Sequence, residues 1–142
     1  MAGNRVIEEA RPYSLDDVFK EHYAVPEFQR PYVWKKRHVT QLFDDLFDAH
    51  KERGRGEYFI GSIVTYRDTD RRNYLVDGQQ RMLTLISLFA ACRDRLLALD
   101  ETTDVSFFES LVRGERRTAR GKVIEDDRVL ARVNRIKRYS RS

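Results

Sequence analysis

Five polar residues stand together at Asp77-Gly78-Gln79-Gln80-Arg81, between the apolar Leu75-Val76 and the apolar run that starts at Met82. A strand that delivers the chain to a glycine and then a helix leaves backbone N–H groups at the helix start, where the macrodipole also favours negative charge. Gly78 permits a positive φ and lets a ligand approach the backbone. Arg81 falls in the first helical turn, where a cation opposes the dipole at a cost of a few tenths to about 1 kcal/mol. A bound anion offsets that cost, and phosphate is an anion that a guanidinium grips with two parallel hydrogen bonds. Asp77 can hold Mg²⁺ or orient Arg81. The competing arrangement is a polar turn in which Asp77 caps the helix and pairs with Arg81.

A second group lies at Pro26–Trp34, P-E-F-Q-R-P-Y-V-W, where Phe28, Tyr32 and Trp34 flank Gln29-Arg30-Pro31. Aromatic rings stack on bases, an arginine reaches phosphate and a glutamine reads a base edge. The alternative is that the rings are core and Arg30 makes an internal salt bridge. Gly61-Ser62, inside Tyr58–Tyr66, would let a ligand near a strand; a packing glycine is the more ordinary reading of Gly61, with a bulge or a close backbone approach. His22, His38 and His50 have no metal-ligand spacing, and Cys92 is the single cysteine. There is no Walker A sequence, no Ser/His/Asp order and no G-x-S-x-G elbow. Gly114-Glu115-Arg116-Arg117 reads as surface.

The elements that must position these groups follow from the pattern. Ser14 caps a short helix with Asp16 and Asp17 in its first turn. Val18 and Phe19 face the core, and Tyr23–Val25 leans towards a strand before Pro26. From about Lys36 to Arg53, Val39, Leu42, Phe43, Leu46, Phe47 and His50 recur at the spacing of one buried helical face, and Gly54 and Gly56 end it. Tyr58–Tyr66 is a strand, Arg67–Arg72 a hairpin loop and Asn73–Val76 an antiparallel return. A long helix runs from about Gln80 to Leu99, with Leu83, Ile86, Leu88, Phe89, Cys92, Leu96 and Leu99 as its apolar positions. Ser106–Arg113 is a weaker helix. Val123-Ile124 and Val129-Leu130 flank Glu125-Asp126-Asp127 as the arms of a hairpin. The sum is α+β, a small sheet covered by helices.

The 142 residues suffice for one domain and carry a formal net charge of +4. Residues 113–142 hold 11 Lys/Arg against 4 Asp/Glu, a net of +7, which leaves −3 on residues 1–112. A basic tail attracts nucleic acid, or is simply a solvated end. Arg132–Ser142 has no stop signal and reads as part of a longer domain. No apolar run approaches the roughly 18 residues of a membrane span, and the N-terminus has no signal-peptide pattern, so the expectation is a soluble cytoplasmic protein without a membrane partner.

Together, P-E-F-Q-R-P-Y-V-W, Y-F-I-G-S-I-V and V-D-G-Q-Q-R-M-L-T-L resemble the N-terminal domain of the GmrSD type IV restriction enzymes, a family marked by I-P-x-F-Q-R-x-Y-x-W and then D-G-Q-Q-R. Gln29, Arg30, Tyr32 and Trp34 match the first motif, with Val25 where Ile is usual. Asp77, Gly78, Gln79, Gln80, Arg81 and Thr84 match the second. The likeness covers about residues 12–100. It implies a fold similar to the ParB/sulfiredoxin superfamily, in which a Gly-polar-x-Arg turn before a helix binds nucleotide phosphates, and it associates the D-G-Q-Q-R turn with NTP binding and hydrolysis. Full-length relatives sense modified DNA, usually phage DNA, and commonly carry a C-terminal HNH-type nuclease domain that these 142 residues lack. The family domain usually runs longer than this chain, which would make the chain a fragment, or a split or stand-alone version.

The resulting expectation is an NTP-binding, NTP-hydrolysing regulatory domain of a restriction system at residues 1–112, followed by a basic segment at 113–142. Its partners would be the nucleotide with Mg²⁺, modified DNA, and a nuclease domain or subunit, with homo-oligomerisation open. Gly78, Gln79, Gln80 and Arg81 would cradle phosphates, Gln79 or Gln80 would position water, and Asp77 would hold Mg²⁺. Arg30 would neutralise developing charge, while Gln29, Tyr32, Trp34 and Thr84 complete the nucleotide site. The alternatives are a non-catalytic DNA-binding module, with Arg30 and Arg81 on the DNA backbone, and a protein-interaction domain without ligand. The last would show Phe28, Tyr32 and Trp34 buried and no cleft beside Gly78.

Overall fold

The computed structural model describes residues 10–26, 32–53, 58–67 and 72–131. Its first helix, α1 (Leu15–Val18), is a single turn. Ser14 Oγ accepts the Asp17 N–H at 3.1 Å, satisfying one donor of the helix start, as the sequence requires. The chain then places Phe19, 0% exposed, in the core and enters strand β1 (Tyr23–Val25). All three residues of β1 are buried because the strand is flanked on both edges. It pairs in parallel with β3 (Asn73–Asp77) and with β6 (Val129–Ala131), while β2 (Val64–Arg67) pairs antiparallel with β3. The sheet order is β2-β3-β1-β6, and the fold is α+β.

Helix α2 (Lys36–Arg53) precedes β2, and helix α3 (Gln79–Leu99) follows β3 directly. Met82 and Leu85 of α3 and Leu111 of helix α4 (Ser106–Val112) pack with Phe19, Tyr23, Val25 and Leu75 as one cluster. Phe89 meets Phe19 edge to face at 5.1 Å between centroids. Burial pushes the Tyr23 phenol well above its ordinary range, and its hydroxyl donates to the Val18 carbonyl at 2.8 Å. No helix among the described residues is long and apolar enough to cross a membrane.

Four expectations need correction. Only Val64–Arg67 of the Tyr58–Tyr66 run forms a ladder; residues 58–63 run alongside without strand pairing. On α2 the apolar stripe exists, but Val39 (39%), Phe43 (53%) and Phe47 (53%) are exposed, and only the side bearing Leu42 reaches the core. Helical spacing fixes which residues share a face, not whether anything covers it. On α3 the fully buried apolar positions are Met82 and Leu85, whereas Leu99 is exposed. A run as uniformly apolar as Met82–Phe89 carries little phase information, so the inward face is set by the sheet beneath it.

The fourth concerns residues 113–131. Glu125-Asp126-Asp127 is not a turn but part of strand β5 (Val123–Asp127), which pairs with strand β4 (Arg113–Arg117), the segment expected to be plain surface. Val129–Ala131 joins the main sheet instead of closing a local hairpin. Charged side chains bridge this hairpin to the rest of the fold. Asp126 accepts from Arg72 and from Arg116 Nε (2.8 Å for the latter), with those arginine side chains only 8% and 10% exposed. Arg128 donates to the carbonyls of Lys20 (2.6 Å) and Ser110 (3.1 Å). Arginines that the net charge alone would assign to a solvated tail thus tie the hairpin to the sheet. Buried beside them, His22 shares a 3.2 Å hydrogen bond with the Gly114 carbonyl, and burial followed by the Arg128 charge holds its imidazole below the ordinary value.

Candidate functional site

At the carboxyl end of β3 the chain turns through Gly78 at φ +87° and enters α3, whose first bond runs from Met82 N–H to the Gly78 carbonyl. A side chain at residue 78 would strain the backbone and put a Cβ 2.7 Å from Ile63 Cγ2. The turn therefore needs glycine for conformation and for close packing against residues 62–63. Because the helix starts on a glycine, no side chain at that position caps it, and no acid occupies its first turn.

Asp77 does not act as the competing arrangement supposed. Its Oδ1 accepts the Gly78 N–H at 2.8 Å, one residue before the helix, and among the described residues it makes no ion pair with Arg81. Arg81 instead lays its guanidinium against Gly61, where any Cβ would collide with it. Gly61, which precedes β2 and is not within it, is thus a site of close backbone approach, one of the readings its position in the sequence offered, and what approaches is the candidate ligand-binding arginine. Arg81 Nε is buried and has no hydrogen-bond partner among the described residues. An unmet buried donor of this kind costs about 1–3 kcal/mol.

The aromatic segment is attached to this turn by two side chains of α3. Gln80 Oε1 accepts the backbone N–H groups of Val33 (2.9 Å) and Trp34 (3.2 Å). Thr84 Oγ1 donates to the Gln80 carbonyl at 2.8 Å, so the 2.8 Å contact with Tyr32 has the tyrosine hydroxyl as donor. Gln80 and Thr84 therefore act on the loop, a division of roles that no local pattern of residues signals. Tyr32 is 45% exposed and Trp34 half-buried, with the indole packed on His38 at 5.8 Å between centroids. His38 Nδ1 accepts the Lys35 N–H at 2.9 Å, closing the first turn of α2 in the manner of a capping box. Phe28, Gln29 and Arg30 lie outside the described residues.

A cleft of about 460 Å³ lies between these parts, lined by Val33 and Trp34 on one side and residues 76–81 on the other. That volume is in the range of small-molecule sites. The structure so brings together Trp34, Asp77, Gly78, Gln79, Gln80 and Arg81, with Val33 and Val76 of the same two segments. An exposed Tyr32 and a cleft beside Gly78 are the opposite of what the ligand-free interaction domain required.

The metal expectation can be tested on the donor set. Among the described residues no group of three His, Cys, Asp or Glu side chains could enclose an ion. A single carboxylate at the cleft, Asp77, fits Mg²⁺ only in the mode in which phosphate oxygens and water supply the remaining ligands.

Gln80→Ala is expected to release the Val33–Trp34 segment without unfolding α3. Trp34 is the only tryptophan, so its fluorescence reports on this segment alone. The expected outcome is a red-shifted emission and easier quenching by acrylamide at an unchanged circular dichroism spectrum. An unaltered emission would show that the loop is held by other means.

Residues 15–140 match the family described as GmrSD restriction endonuclease, N-terminal domain. No curated protein matches the chain.

Proposed function

The chain belongs to the GmrSD restriction endonuclease N-terminal domain family, a component of a restriction and phage-defence system, and on that premise we propose that it is the part of the system that binds and hydrolyses a nucleoside triphosphate. The observation that carries this reading is Arg81. Its buried Nε has no protein partner among the described residues, at the start of a helix with no acid in its first turn, on the wall of a cleft. A phosphate satisfies the guanidinium and the helix dipole together.

In this reading Arg81 and the backbone at Gly78 and Gln79 hold the phosphates, and Asp77 is the one protein carboxylate to a Mg²⁺ ion that arrives with them. The ion, when bound, neutralises phosphate charge. Gln79, which lines the cleft, positions the attacking water, while Gln80 Oε1 accepts the Val33 and Trp34 N–H groups and holds the aromatic segment. Water adds to the terminal phosphorus, the bond to the bridging oxygen breaks, and the products are the nucleoside diphosphate, phosphate and a proton. Arg30, assigned on the family resemblance, supplies a second cation for the charge that develops. Trp34 forms an aromatic wall of the cleft, and Tyr32, bonded to Thr84, anchors the segment that carries it. The nucleotide state would then govern cleavage of modified DNA by a nuclease domain or subunit.

A thermal-shift screen with the four NTPs and Mg²⁺ tests this. Ligand at about 100 times its Kd adds roughly 2.7 kcal/mol, which for a chain of this size raises Tm by roughly 5–11 °C. No shift with any NTP at millimolar concentration would overturn the reading.

A further inference from the structure

A second cleft, of about 230 Å³, opens on the other side of Arg81, between α2 and residues 58–63. Trp34, Leu42 and Ile60 give it apolar walls, and Asp45 and Gln41 give it a polar edge. Trp34 and Arg81 line both clefts, so the two meet around one indole and one guanidinium.

We propose that this second cleft is the base subsite of the nucleotide site and that Asp45 makes it selective for guanine. The proposal rests on the reading of the first cleft as the phosphate end. The volume suits a single base, and the Trp34 and His38 rings, packed on each other at the cleft, offer an aromatic surface that any base can use. Selectivity comes from the edge. An ionised carboxylate only accepts hydrogen bonds. Guanine presents two neighbouring donors, N1–H and the N2 amino group, to the two oxygens of one carboxylate. Adenine and cytosine present one amino group beside a ring nitrogen lone pair, and uracil presents one N–H between two carbonyls. Each of these turns at least one lone pair towards the carboxylate.

The carboxylate is also oriented. Gln41 Nε2 donates to Asp45 Oδ1 at 2.7 Å, across one turn of the same helix. Its negative charge also fixes the direction of the ligand. Phosphates are repelled from the Asp45 end and are held where Arg81 and the α3 start offer positive charge.

The experiment is calorimetric titration of the chain, with Mg²⁺, using GTP, ATP, CTP, UTP and inorganic tripolyphosphate, repeated on Asp45→Asn. Asp45 is partly exposed on a helix surface, and asparagine keeps an acceptor for Gln41, so the variant folds; a thermal melt checks this. GTP is expected to bind at least tenfold more tightly than UTP or tripolyphosphate. Asp45→Asn is expected to reduce GTP affinity roughly tenfold to a hundredfold, as for loss of a charge-assisted pair of bonds, and to leave tripolyphosphate affinity unchanged. If tripolyphosphate binds and GTP shows no lead, or if the lead survives in Asp45→Asn, the base subsite is overturned while the phosphate end stands. If neither tripolyphosphate nor any NTP binds, both readings fall.

Discussion

Replacing Arg81 by alanine is expected to lower triphosphate affinity by about a hundredfold or more while leaving the fold as stable as before, or nearly so. The two halves of this expectation come from the same geometry. The guanidinium lies at the start of α3 on the wall of the cleft, where a forked contact to phosphate in a partly desolvated site is worth several kcal/mol. It has no carboxylate partner among the described residues, and its buried Nε is unmet, so its removal strands no opposite charge. The lost packing against Gly61 is offset by relief of that unmet donor and of a cation at the positive helix end. Arg81→Lys separates charge from geometry: it keeps the cation and loses the fork, and should recover only part of the affinity. Calorimetry with an NTP and Mg²⁺ and a thermal melt on each variant provide the check. Unchanged affinity would exclude Arg81 from the site, and a collapse of Tm would make it a structural arginine.

Asp126→Ala is expected to have the largest effect on stability. One carboxylate holds Arg72, just before β3, and Arg116, on β4, with little solvent around any of the three. Removing it takes away the anion that two nearly buried guanidinium groups share, and breaking a buried pair of this kind costs about 3–5 kcal/mol. That is a large part of the roughly 5–15 kcal/mol typical of a domain, and in a chain of this length it lowers Tm by roughly 6–20 °C. Asp126→Asn, which keeps an acceptor but not the charge, should fall between. A melt of Asp126→Ala within a degree or two of wild type would mean that water readily replaces the carboxylate.

The contrast between these two arginine environments shows how much was legible in the chain. The D-G-Q-Q-R turn, the helix after it, the Ser14 cap and the antiparallel return of β3 onto β2 follow from local chemistry. In each, a few neighbouring residues settle the conformation: a glycine that can take φ +87°, a hydroxyl three residues before an N–H, an apolar run of helical length. Gly61 was also readable as a place where something comes close, though not what. The arginines of residues 113–128 were not readable. Their count predicts a basic tail, but charge composition carries no distances, and the partner of Arg116 is chosen by β4–β5 pairing.

A strand–glycine–helix turn with an arginine in its first helical turn follows from the sequence, because those preferences act within a few residues. The surroundings of that arginine come from the packing of distant segments. Gln80 and Thr84 hold the aromatic segment across a gap of some fifty positions in the chain, Gly61 makes room for the guanidinium, and Asp77 turns to the backbone instead of pairing with it. These are contacts between segments distant in the chain. They depend on the register of β2 and β3 and on the packing of α3 over the sheet, which no local pattern of residues encodes.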